Sequence, residues 1–231
     1  MSPPEVHGYG REPSQFCELF RPAGDPAGVA VVLHGGFWRV RYDRTLMHPL
    51  CRDLATRGWA AWNVEYRRLG DGGGVPATLD DVAAAVDALP AAAGSGAVAN
   101  RVVAIGHSAG GHLAAWLATV TELDGVVSQA GVLDLALGRE LGLSDGVVGE
   151  FLGAAPVADA SPIERLPLGT RALLTHGGRD DIVPPVMSER FAVAARAAGD
   201  DVALVVDPGA DHYDHLDPAH PLWLAVPAWL A

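Results

Sequence analysis

The chain of 231 residues contains no lysine, and all 16 of its basic residues are arginines. The absence of a lysine amine excludes Schiff-base chemistry, a pyridoxal phosphate anchor, a Walker phosphate-binding lysine and a Ser-Lys dyad. An activated serine in this chain would therefore depend on one of its nine histidines.

Cysteine is scarce, and an excess of positive charge is missing. Cys17 and Cys51 are too few and too far apart in sequence for a disulfide framework or a cysteine-based metal site, so both are predicted to be small buried side chains. The formal net charge is −12 and no basic stripe interrupts it. Because such a surface repels phosphates, we expect neither nucleic acid nor an anionic membrane as a partner.

Long apolar runs are absent as well. No run reaches membrane-spanning length, and residues 1–10 have neither the basic start nor the apolar core of a signal peptide, so we expect a cytoplasmic location. The hydrophobic content of 49% suffices for one sizeable core, and no linker divides the chain. We predict a single domain over residues 1–231, and the sequence leaves a homodimer open.

Apolar runs of strand type alternate with segments of helical periodicity. Strands are predicted at 16–20, 29–33, 59–66, 101–105, 125–129, 171–175 and 202–206, with helices at 43–57, 78–89, 187–198 and from 218 onward. The Ala/Gly-rich tract 91–99 is predicted to be a loop, and residues 132–168 break the rhythm and are predicted to form a small lid. The pattern predicts an α/β fold, with a doubly wound, mostly parallel sheet and helices on both faces.

One short motif indicates a nucleophile. Residues 106–110 read Gly-His-Ser-Ala-Gly, after the β-branched run 101–105 and before the small-residue stretch 111–118. A serine on such a strand-to-helix turn has its hydroxyl held above the sheet, and the flanking glycines let the strand and helix pass closely. Ser108 is therefore the predicted nucleophile.

A serine nucleophile needs a base and an acid, and both follow later strands. Asp180 lies on the loop after the strand at 171–175, and His212 follows the last strand. The chain order Ser, Asp, His is the order in which an α/β-hydrolase sheet presents its triad. We predict a triad of Ser108, Asp180 and His212, with Asp181 as an alternative acid or helix cap. His215 is an alternative base or a residue of a solvated loop.

The turn at residues 34–38, His-Gly-Gly-Phe-Trp, is predicted to bind the oxyanion. Backbone amides of Gly36 and Phe37, with that of Ala109 after the nucleophile, are the predicted donors. Trp38 is a candidate aromatic wall for a planar substrate. His107, beside the nucleophile, is predicted to shape the pocket or to pack beneath it rather than to act as a base.

These motifs, together with His176-Gly-Gly-Arg-Asp180, resemble the α/β-hydrolase superfamily, specifically its kynurenine formamidase and small-esterase branch, over about residues 29–215. The spacing from His176 favours Asp180 as the acid, and Phe37 stands where that branch more often has tyrosine. The resemblance implies a cofactor-free serine hydrolase that forms an acyl-enzyme on a small molecule, either an aryl formamide such as N-formylkynurenine or a short-acyl ester.

The sequence leaves three other interpretations open. One is a general carboxylesterase without formamidase activity. A second is a lyase or a non-catalytic binding module on the same fold, the lyase using His212 as a base on a substrate hydroxyl. The third is a metal site at residues 211–215, which read Asp-His-Tyr-Asp-His. We expect no metal, because a metal site leaves Ser108 and the glycine turn without a role.

Overall fold

The computed structural model describes residues 3–89 and 101–231, so the predicted loop at 91–99 lies outside the described residues. Eight strands form one sheet. They are β1 Glu5–Gly8, β2 Phe16–Phe20, β3 Val29–Leu33, β4 Ala60–Val64, β5 Val102–His107, β6 Gly125–Gln129, β7 Ala172–Gly177 and β8 Val202–Asp207. Their order across the sheet is β1-β2-β4-β3-β5-β6-β7-β8.

The sheet is mostly parallel, as predicted. From β4 through β3 to β8 every pairing is parallel. The two antiparallel pairings are that of β1 with β2 and that of β2 with β4. The strands β3, β4 and β6 are buried along their whole length, which explains their continuous apolar sequences. Strand β1 was not predicted, because its four residues, Glu-Val-His-Gly, carry little strand signal.

The helices are α1 His48–Thr56, α2 Ala77–Asp87, α3 Ala109–Leu117, α4 Leu135–Glu140, α5 Leu143–Leu152, α6 Val157–Ala160, α7 Val186–Ala197 and α8 Pro221–Leu230. They cover both faces of the sheet. Val82, Leu113 and Phe191 of α2, α3 and α7 belong to one hydrophobic cluster, whereas Leu54 and Trp223 of α1 and α8 belong to the other. Among the described residues no helix combines the length and hydropathy needed to cross a bilayer.

Residues 132–168, the predicted lid, form α4, α5, α6 and a 3-10 turn at Pro162–Arg165. Asp134 caps α4 by accepting a hydrogen bond from the Leu137 amide at 2.9 Å. The segment is fixed to α3 because His112 Nε2 donates to the Ala160 carbonyl oxygen at 2.8 Å. That the segment serves as a lid stays a prediction. Cys17 and Cys51 are both free and buried, as predicted.

Candidate active site

Ser108 occupies the sharp turn between β5 and α3. Its φ of 57° and ψ of −119° are a conformation that a residue with a side chain rarely adopts. Close packing explains the glycines beside it. A Cβ on Gly106 would lie 2.0 Å from the Gly110 carbonyl oxygen, and one on Gly110 would lie 2.0 Å from the Leu33 carbonyl oxygen. The motif therefore builds the turn that the sequence predicts.

Asp180 and His212 meet above the carboxyl ends of β7 and β8. His212 Nδ1 donates to Asp180 Oδ2 at 2.6 Å, and the amides of Ile182 and Val183 donate to Asp180 Oδ1 at 2.9 and 2.8 Å. Burial raises the pKa of the Asp180 carboxyl, but hydrogen bonds from His176 and His212 outweigh it and hold that pKa well below its ordinary value. An ionised Asp180 fixes the tautomer of His212 and leaves Nε2 to receive a proton.

Asp181, the alternative acid, has a different environment. It is exposed and lines the mouth of the cavity into which Ser108 and His212 open. The prediction that Asp181 caps the following helix is wrong, because the N-cap of α7 is Pro185 and α7 has no side-chain cap.

A single cavity of about 320 Å³ brings the predicted residues together. Ser108, His212, His107, Gly36 and Phe37 all line it. Burial lowers the pKa of His107 to about 3, so its ring is neutral, and Nε2 donates to the backbone oxygen of His212 at 2.8 Å. His107 thus supports the His212 loop while contributing to the cavity wall.

The glycine turn, residues 34–38, lies directly against the nucleophile. A Cβ on Gly35 would be 3.0 Å from Ser108 Cβ. Gly36, Phe37 and Trp38 have φ of 109°, 51° and 55°. Across the described residues, the amides of Gly36, Phe37 and Ala109 donate to no backbone carbonyl. Unpaired amides beside a nucleophile can bind an oxyanion.

Trp38 requires a correction. Its side chain is 0% exposed, stacks on Phe151 of α5 at 4.2 Å between ring centroids, and meets His112 edge-on. A fully buried ring cannot contact a substrate, so Trp38 joins the glycine turn to residues 132–168 instead of forming an aromatic wall. The aromatic side chains that line the cavity are Phe37, Tyr42 and Tyr213.

His215 does not lie on a solvated loop, so that interpretation of the residue is wrong. It is fully buried, and its Nδ1 lies 3.1 Å from Thr175 Oγ1. The carboxylates of Asp211 and Asp214 accept hydrogen bonds from loop amides at 2.8 Å. Within residues 3–89 and 101–231, no group of three or more His, Cys, Asp or Glu side chains could hold a metal ion.

Sequence reasoning missed three residues near the site. Tyr42 and Tyr213 line the cavity, and Tyr213 follows His212 directly. Glu65 is 2% exposed and lies beneath the glycine turn. The position of Glu65 in the sequence is the signal that could have identified it, since Glu65 follows β4 at the same edge of the sheet as the other site residues.

Comparisons with known proteins agree with this architecture. The sequence model of the BD-FAE family matches residues 18–137. Esterase LipC of Mycobacterium tuberculosis is 28% identical to this chain over an alignment of 249 residues. The alignment covers 91% of this chain and 60% of LipC, so the chain spans about 60% of that relative's length.

Two solved structures have the same fold. Thermogutta terrifontis esterase 2, phosphoramylated by tabun, superposes with a TM-score of 0.82 and 26% identity, covering 100% of this chain and 95% of that one. A truncated carbohydrate esterase from gut microbiota has a TM-score of 0.80 and 17% identity, covering 98% and 97%. The protein has the α/β-hydrolase fold, as the sequence predicts.

Proposed function

This chain belongs to the BD-FAE family, and from that premise we propose that it is a serine esterase that hydrolyses small esters through an acyl-enzyme. The observation that carries the proposal is the 2.6 Å hydrogen bond from His212 to a buried, ionised Asp180, at a cavity that His212 shares with Ser108. The sequence similarity to esterase LipC and to Thermogutta esterase 2 supports the same chemistry.

In the proposed reaction, Ser108 Oγ attacks the ester carbonyl carbon while His212 Nε2 takes the hydroxyl proton. The amides of Gly36, Phe37 and Ala109 bind the oxyanion that forms. The intermediate collapses, the C–O bond to the alcohol breaks, and His212 returns the proton to the departing alcohol. Water, deprotonated by His212, then attacks the acyl-enzyme. The bond between the acyl carbon and Ser108 Oγ breaks, His212 returns the proton to Oγ, and the carboxylic acid leaves.

The cavity favours a small substrate. Its volume of about 320 Å³ lies at the low end of the roughly 300 to 1,000 Å³ found for small-molecule sites. Thermogutta esterase 2, a relative of similar size, has been solved with propionate and with butyrate bound. We therefore propose short-acyl esters as the substrate class.

An aryl formamide, the other substrate predicted from the sequence, has less support. That prediction came from the family resemblance, with Trp38 as an aromatic wall in its support, and Trp38 is fully buried. A general carboxylesterase without formamidase activity is accordingly the proposal, and the formamide becomes a comparison substrate in the test.

The test compares initial rates of the wild type and Ser108→Ala on p-nitrophenyl acetate, p-nitrophenyl butyrate and N-formylkynurenine. We expect ester hydrolysis by the wild type and a loss of about 10⁴-fold or more in kcat for Ser108→Ala. Ser144→Ala is the matched control, because Ser144 also lines the cavity, and it should stay within about 3-fold of the wild type. Activity retained by Ser108→Ala would refute the mechanism, and a preference for the formamide would refute the substrate class.

A further inference from the structure

The glycine turn has a backbone that needs external support. Phe37 and Trp38 both have positive φ although neither is glycine. Each such residue is strained and persists only where its surroundings fix it. The polar contacts that hold the start of this turn come from Glu65 and Tyr66, directly after β4.

His34, the first residue of the turn, is held on several sides. It is 0% exposed, and its ring stacks on Tyr66 with 4.3 Å between centroids and 9° between planes. The Tyr66 hydroxyl donates to the His34 carbonyl oxygen at 2.7 Å. The His34 ring nitrogens have separate partners: Nε2 lies 3.1 Å from Glu65 Oε1, and Nδ1 lies 2.8 Å from the Gly35 carbonyl oxygen.

Both partners of the His34 ring can only accept a hydrogen bond. A carbonyl oxygen and an ionised carboxylate have no proton to give, so the two bonds form together only when both ring nitrogens carry hydrogen. Burial raises the pKa of Glu65, but its hydrogen bond to His34 and the charges of His34 and Arg68 hold that pKa below its ordinary value.

Other charged groups surround this pair and keep Glu65 in place. The Arg68 guanidinium lies 3.1 Å from Glu65 Oε1, and the Arg44 amide donates to Oε2 at 3.2 Å. The Arg44 side chain lies 3.7 Å from the same oxygen. Asp43 is an acidic group near the ring: burial raises its pKa, but hydrogen bonds from Thr45 and the charges of Arg44 and His34 hold that pKa below its ordinary value.

The contact with Gly35 connects this pair to the proposed oxyanion donors. The carbonyl of Gly35 and the amide of Gly36 belong to one planar trans peptide, so fixing the oxygen also fixes the direction of the N–H. Gly36 lines the cavity. We propose that Glu65 is a positioning residue for the oxyanion-binding turn, acting through a doubly protonated His34 that holds the Gly35 carbonyl and so aims the Gly36 amide. This inference rests on the proposed esterase function.

The first experiment needs no activity, so it separates this inference from the proposed function. Nitrogen-15 NMR of the histidine rings at neutral pH, with His34 assigned by its absence in His34→Asn, should show hydrogen on both His34 nitrogens. The Glu65→Gln variant should lose that signature. One unprotonated His34 nitrogen in the wild type would overturn the inference whether or not the protein hydrolyses esters.

The second experiment measures catalysis in Glu65→Gln against a matched control, Glu18→Gln. Glu18 is also a buried glutamate, 6% exposed, and its partners His48, Asn63 and Arg44 lie outside residues 34–38. Of these three, Arg44 also contacts Glu65, at 3.7 Å. For Glu65→Gln we expect kcat to fall about 10- to 100-fold with KM little changed, and the inhibition constant of a boronic acid that binds Ser108 to rise by a similar factor.

Glu18→Gln, in contrast, should stay within about 3-fold of wild-type kcat even if it loses as much stability. An equal loss of kcat in the two variants would overturn the inference, because a general loss of packing would then explain both. If Glu65→Gln does not fold, Tyr66→Phe removes the hydroxyl that holds the His34 carbonyl and should lower kcat by about 3- to 10-fold with KM unchanged. Wild-type kcat in a folded Tyr66→Phe, taken with a singly protonated His34, would refute the positioning role.

Discussion

Asp180 and Asp181 are sequence neighbours in opposite environments. Asp180 is buried and accepts hydrogen bonds from two amides and from His212, whereas Asp181 is exposed at the cavity mouth. The sequence can place both carboxylates on one loop, but it cannot say which of them turns inward. At the scale of single residues, burial and hydrogen bonding support Asp180 as the acid in the proposed mechanism.

This assignment predicts different outcomes for two matched substitutions. Asp180→Asn should lower kcat by about 10⁴-fold, because an amide at this position no longer holds His212 in the tautomer that accepts the serine proton. Asp181→Asn should change kcat by less than about 5-fold. Steady-state kinetics on p-nitrophenyl acetate measure both, and a larger loss for Asp181→Asn would reverse the assignment.

At the scale of elements, the nucleophile depends on how closely α3 approaches the sheet. Gly110 in the first turn of α3 packs directly on the backbone after β3, with no room for a Cβ beside the Leu33 carbonyl oxygen. In α5, by contrast, Gly149 has open space where a Cβ would lie. Gly110 is therefore required by the close approach of α3 to the sheet, whereas the packing around Gly149 has room for a side chain.

Alanine substitutions distinguish these two glycines. Gly110→Ala should cost about 3 kcal/mol in the free energy of unfolding, because strand and helix must move apart. Gly149→Ala should be neutral or stabilise by up to about 1 kcal/mol, since alanine is the better helix former. Urea unfolding measures both free energies, and a well-tolerated Gly110→Ala would contradict the close packing at the turn.

At the scale of the whole molecule, buried histidines couple folding to pH. Burial lowers the pKa of His107 to about 3, that of His112 to about 4 and that of His215 well below its ordinary value. The unfolded chain binds a proton at the ordinary histidine pKa, near 6.5. Stability from these groups is therefore intact above about pH 6.5 and is lost as the pH falls toward the folded-state values.

For His112 this loss amounts to about 2 kcal/mol at about pH 5. We expect the free energy of unfolding to decrease between about pH 7 and pH 5, and to decrease by about 2 kcal/mol less in His112→Gln. Below about pH 4 the free energy of unfolding decreases further, because Asp180 and Glu65 have lowered pKa values in the folded state and the unfolded chain takes up their protons first. Urea titrations at both pH values provide the measurement. An identical decrease in the variant would show that His112 contributes no proton linkage.

Much of the fold and part of the site could be predicted because their signals are local. Apolar runs and helical spacing gave the strands from β2 to β8, with some ends shifted by a few residues. The glycines around Ser108 predicted its turn, since close approach is a requirement on neighbouring residues. The chain order of Ser108, Asp180 and His212 predicted that the three meet at one edge of the sheet, where Ser108 and His212 line one cavity and Asp180 bonds to His212.

The tertiary structure alone decided what depends on contacts between distant segments. Trp38 is buried because Phe151 of α5 covers it, and His215 is buried because its loop folds back on Thr175. Glu65 contacts His34 because β3 and β4 are parallel neighbours in the sheet. The sequence by itself determined the fold class and the turn that presents Ser108, since both follow from periodicity and local backbone sterics. Only the tertiary packing decided which side chains face the cavity and which support its walls. Packing brings together residues that no local sequence pattern relates.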